Sequence, residues 1–174
     1  MWGQVGYYPI PWWLWGKCIL VFAGTHEHTI DSKNRLAIPA EIRAQIQSGT
    51  GENRSPSLIF FVTLGEGQSL YLYTEQGFNE RAQELLAAET DPDQLLAYER
   101  VWFSLSRRVE ADSSGRITLP EPLIDRANLD SEIVLLGVND HLEIRDRTTW
   151  CTYVEQVLTE QPQILMDPRR VMRN

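Results

Sequence analysis

Cysteine is scarce in this 174-residue chain: Cys18 and Cys151 are too few for a disulfide framework and suit a reducing cytosol. Long apolar runs are missing too, the longest uninterrupted one, Cys18 to Ala23, being far too short to span a membrane. There is no excess of positive charge. With a formal net charge of −8, a bulk basic coat is excluded, and any hold on a polyanion must come from local patches. Catalytic signatures are absent as well. No Ser/His/Asp or Cys/His arrangement comes with a supporting motif, and Gly65-Glu66-Gly67 is too short and too acidic to cradle phosphate. The chain is therefore expected to be no enzyme, with no cofactor, no metal and no small-molecule substrate.

What the chain does have is a duplication. Asp31-Ser32-Lys33-Asn34-Arg35-Leu36-Ala37-Ile38-Pro39 and Asp112-Ser113-Ser114-Gly115-Arg116-Ile117-Thr118-Leu119-Pro120 repeat Asp, Ser, Arg and Pro at one fixed offset. Asn34 answers Gly115 at the position most tolerant of positive φ, so one turn geometry is expected twice. Thr29-Ile30 and Leu36–Ile38 read as short strands of a tight hairpin. Asp31 and Asp112 are read as turn-forming, accepting from the amide two residues on and pairing with the local arginine. Pro39 and Pro120 stop each strand and open a helix in its first turn.

The likeness continues beyond the motif. Leu58–Leu64, the turn at Gly65, Ser69–Tyr73 and a helix over 75–87 are matched by Glu132–Val138, the turn at Asn139-Asp140, His141–Arg145 and a helix over 148–158. Phe78 answers Trp150. Between the copies, Asp91-Pro92 signals a helix start, and Leu95, Leu96, Val101 and Trp102 predict a partly buried connecting helix. Neither half has enough elements to close a sheet around a core, so the halves are expected to interleave. The fold class is α+β, a pseudo-two-fold internal duplication. It divides into an aromatic extension (1–20), a first domain (21–90), the connecting helix (91–105), a second domain (106–160) and a tail (161–174).

Charge is unevenly spread. Around the first motif Lys33, Arg35 and Arg43 outnumber Asp31 and Glu41, whereas over 79–100 Glu80, Glu84, Glu89, Asp91, Asp93 and Glu99 outnumber Arg81 and Arg100. His26 and His28 fall on one face of a strand but lack a third metal ligand at a recognisable spacing. The extension, rich in tryptophan and broken by proline, reads as a flexible segment or an arm packing on a neighbouring subunit.

At this point the residues carry a family likeness. His28 to Ala40, the second Asp-x-x-x-Arg turn, and Glu132 to Asp146 followed by Trp150 resemble the MraZ family of bacterial transcriptional regulators, encoded at the head of the division and cell wall gene cluster. The resemblance runs from about Phe22 to Leu158. It implies two tandem SpoVT/AbrB-like swapped-hairpin domains, a closed ring of identical subunits, and a cytoplasmic, nucleoid-associated regulator. It also implies binding of double-stranded DNA at promoter direct repeats. By position it gives Lys33, Arg35 and Arg116 as DNA-binding residues with Arg43 as a flanking contact, and Asp31, Asn34, Asp112 and Gly115 as structural turn residues. Lys33 beside Arg35 makes the first turn the expected DNA face. The alternative from another class is a ring scaffold whose acidic faces bind protein.

Overall fold

The computed structural model describes residues 20–49, 58–86 and 91–165. The readings made for residues 1–19, for Cys18 and for the end of the tail lie outside the described residues, as does most of the Gly/Ser/Pro segment after Ser48.

Among the described residues, eight strands and five α-helices follow in the order β1 (Thr25–Thr29), β2 (Arg35–Ala37), α1 (Ala40–Gly49), β3 (Ile59–Gly65), β4 (Ser69–Thr74), α2 (Glu75–Leu86), α3 (Pro92–Leu105), β5 (Arg107–Glu110), β6 (Arg116–Thr118), α4 (Glu121–Arg126), β7 (Glu132–Val138), β8 (His141–Asp146) and α5 (Arg147–Glu160). The two copies are thus built from the same elements in the same order. A short 3-10 turn, Pro162–Leu165, ends the described chain.

The halves interleave. The main sheet runs β1-β7-β8-β4-β3-β5, all neighbours antiparallel, so the leading strand of each copy lies on the hairpin of the other. The hairpins meet at the centre, where Leu70 faces Ile144, Leu72 faces Leu142, and Tyr71 faces Glu143. A second, two-stranded sheet pairs β2 with β6 through Arg35–Thr118, Leu36–Ile117 and Ala37–Arg116.

This corrects one expectation. The strands flanking the first turn do not form a hairpin ladder and touch through one bridge, Ile30–Leu36, before diverging to different sheets. The reason is burial. A three-residue strand shields its one inward-facing side chain best by pairing with its own copy, and Leu36 and Ile117 are both fully buried.

The pleat sends alternate side chains of β3 and β4 to two cores. Phe60, Val62, Leu70 and Leu72 join Leu36, Ile117, Leu119 and Ile42 of α1 on one side. Phe61, Tyr71 and Tyr73 join Phe78 of α2 and Trp102 of α3 on the other, with Phe78 stacked on Phe61 at 4.2 Å and on Trp102 at 4.7 Å. In α3 the seven-residue spacing puts Leu95 and Trp102 inward; Leu96 and Val101, a quarter turn away, stay exposed rather than joining them. Asp91 caps this helix, accepting from the amides of Asp93 and Gln94 at 3.1 Å. The two motif prolines sit one step earlier than expected: Pro120 is the N-cap of α4, and the Pro39 carbonyl accepts the Arg43 amide at 3.0 Å. The extended ψ of Pro120 suits the end of a strand, leaving Pro122 to occupy the first turn of α4.

Among the described residues no helix is long and apolar enough to cross a membrane.

Candidate nucleic-acid interface

Each Asp-x-x-x-Arg segment folds the same way because aspartate can satisfy two amides at once. In the first turn Asp31 Oδ1 accepts from the amides of Lys33 (2.9 Å) and Arg35 (3.0 Å), and the Asn34 amide donates to the Asp31 carbonyl at 2.8 Å. In the second, Asp112 Oδ1 accepts from Ser114 (2.8 Å) and Arg116 (3.0 Å), and Gly115 donates to the Asp112 carbonyl at 2.8 Å. Asn34 at φ 59° and Gly115 at φ 75° hold the left-handed position foreseen for both.

The turns lean on each other reciprocally. Ile38 N donates to the Gly115 carbonyl at 2.9 Å, and Leu119 N donates to the Asn34 carbonyl at 2.8 Å. Together with the β2–β6 pair this makes one ribbon with an internal two-fold. Leu36 and Ile117 point into the core, and alternation sends Arg35, Ala37, Arg116 and Thr118 to the opposite, outward face. Register places the two arginines diagonally, about 7–8 Å apart.

The arginines differ in their commitments. Arg35 folds back on Asp31, its Nε at 2.8 Å and Nη2 at 2.7 Å from Oδ2. That bond, with the Arg35 amide next, holds the Asp31 carboxyl down at about 2. Asp112 is also held below the usual carboxylate range, first by the Arg116 amide; among the described residues its carboxylate takes no guanidinium, so the pairing expected with the local arginine forms in one copy and not the other. Arg116 is exposed, and its guanidinium makes no hydrogen bond or ion pair among the described residues. Lys33 is exposed at the tip of the first turn. Counting charges favours the first turn, whereas pairing leaves the free guanidinium on the second.

Arg43 is brought to the ribbon in a way the sequence did not reveal. From α1 its Nε donates to the Ile38 carbonyl at 3.1 Å, and its guanidinium lies over Gly115 of the other repeat. The one sequence signal is a break in symmetry, since the matching position in α4 is Ile124.

Elsewhere, His26 and His28 do share a half-buried face of β1, and burial first, then His26, lowers the His28 pKa. Among the described residues no group of three or more His, Cys, Asp or Glu is placed to hold a metal ion.

The chain matches the family model described as "MraZ protein, putative antitoxin-like" twice, over residues 21–97 and 103–174, one match to each copy. A protein of Moorella thermoacetica named transcriptional regulator MraZ is 35% identical over 136 residues, covering 78% of this chain and 88% of that one. Its namesake in Salinispora arenicola is 32% identical over 136 residues (78% and 89%), and that of Thermobifida fusca 33% over 143 residues (80% and 93%). A doubled motif, a doubled fold and a doubled family match lead to one assignment: the chain belongs to the MraZ family.

Proposed function

We propose that this protein is a transcriptional regulator that binds double-stranded promoter DNA sequence-specifically through the outward face of the β2–β6 ribbon. The observation that carries the reading is the ribbon itself: two turns with the same backbone bonds on one two-fold, with Arg35, Arg116 and Lys33 at its solvent face. A two-stranded ribbon fits the major groove, where an uncommitted guanidinium can take guanine or a phosphate oxygen in bidentate fashion. Arg116 is that guanidinium; Lys33 supplies a phosphate contact, and Arg35 stiffens the first turn. The names of the relatives support the regulatory role.

An acidic protein with so small a patch binds one site weakly. Affinity therefore comes from several subunits, closed in a ring, engaging direct repeats together. The target is the promoter of the division and cell wall gene cluster at whose head the gene stands, and the protein works in the cytoplasm at the nucleoid.

A gel shift on the upstream region tests this. Binding should rise steeply with repeat number. Arg116→Ala should weaken specific binding by about 1–3 kcal/mol, and Lys33→Ala should reduce the salt slope by about one with little change in sequence preference. No preference for promoter repeats over scrambled DNA would replace this reading with that of a protein-binding scaffold.

A further inference from the structure

The two turns share their backbone bonds but are held by different arginines. Turn one is closed by its own Arg35. Turn two is covered by Arg43, which comes from the other repeat. A Cβ added at Gly115 would stand 2.8 Å from Arg43 Cζ and Nη1 and 2.9 Å from Cδ, so the guanidinium rests directly on the turn backbone. Gly115 is buried there at φ +75°. Arg43 Nε is meanwhile fixed on the Ile38 carbonyl, and the amide of that same residue holds the Gly115 carbonyl. Arg43 thus grips both sides of the junction between the repeats. Ile124 stands at the matching point and cannot return the grip.

We propose that Arg43 is a positioning residue that sets the second turn from across the repeat boundary and thereby frees Arg116 for DNA, a role that rests on the function proposed above. Held from that side, the turn keeps the backbone shape from which strand alternation sends Arg116 outward into solvent. The Asp112 carboxylate is left to its two amides. Rigid elements hold such a contact better than a mobile side chain could hold itself, and α1 is anchored through buried Ile42 and Ile46. The family repeat is thereby made unequal: one arginine locks a turn in place, the other is presented.

The test uses the full chain and two readouts. Without DNA, Arg43→Ala should speed exchange of the Gly115 and Arg116 amides by about tenfold or more while leaving those of Asn34 and Arg35 unchanged. With DNA, the same variant should lower the preference for promoter repeats over scrambled sequence by about tenfold at an unchanged salt slope. Arg43→Lys should not restore it, since an ammonium lacks the planar fork, and Arg43→Ala should cost nothing further in an Arg116→Ala background. A salt slope lower by about one, restored by lysine, would make Arg43 a phosphate contact and overturn the proposal. Unchanged amide exchange would overturn it equally. Should Arg43→Ala unfold the protein, Arg43→Gln, which keeps a long polar side chain on α1 but removes the guanidinium, has to reproduce the local exchange effect or the proposal fails. If the parent chain shows no preference for promoter repeats, the DNA reading falls, while the exchange data still decide whether Arg43 sets the turn.

Discussion

Arg35 places both Nε and Nη2 on a single oxygen of Asp31, at 2.8 and 2.7 Å, while the other oxygen of that carboxylate takes two backbone amides. One side chain therefore organises the whole first turn.

That arrangement makes the first turn acid-sensitive. Asp31 titrates at about 2 rather than 3.8, so its contribution to the folded state is present above pH 3.8 and is lost as the pH falls towards 2. In an NMR titration of the carboxyl resonance, Arg35→Ala should move the Asp31 midpoint back up towards 3.8. A midpoint that stays near 2 would show that the amides alone hold it.

Leu36 and Ile117 face each other across the ribbon axis, both fully buried. Leu36→Ala should cost about 2–5 kcal/mol in denaturant unfolding, since it empties a fully buried position at the centre of the ribbon's inner face. The double variant with Ile117→Ala should depart from additivity, because the two share one contact.

Asp91 caps α3 with two bonds to its first-turn amides. Asp91→Ala should reduce stability by about 0.5–2 kcal/mol, and Asp91→Ser should recover most of it. Calorimetric unfolding of the three proteins checks this.

His141 is the neutral-pH counterpart. Burial by itself would lower its pKa, but the nearby Glu143 carboxylate and the hydrogen bond to Asp140 outweigh burial and the net direction is up. Asp140 Oδ1 lies 2.8 Å from Nδ1, Glu143 Oε1 lies 3.6 Å from Nε2, and Tyr71 and Tyr73 pack on the ring. The stabilisation is complete below pH 6.5 and is lost as the pH rises through the higher folded value. Melting temperature should fall across that range, and His141→Gln should flatten the profile.

The sequence by itself determined the duplication, the two aspartate turns with their left-handed residue, the order of strands and helices, the Asp91 cap and the separation of negative charge from the motif. The duplication and the charge distribution are read directly from the order of residues, and the turns, the elements and the cap are local, fixed by backbone sterics, short-range hydrogen bonds and apolar periodicity within a few residues. Only the tertiary structure decided which strand pairs with which. Arg35 and Arg116 read alike in sequence, yet one is tied to its aspartate and the other makes no hydrogen bond or ion pair through its guanidinium among the described residues. The same holds for a contact between residues far apart in the chain, Arg43 on Gly115, which forms only where the halves interleave to bury Leu36 against Ile117. A periodic pattern says which side of a strand is apolar; it carries no address for the partner that will cover it.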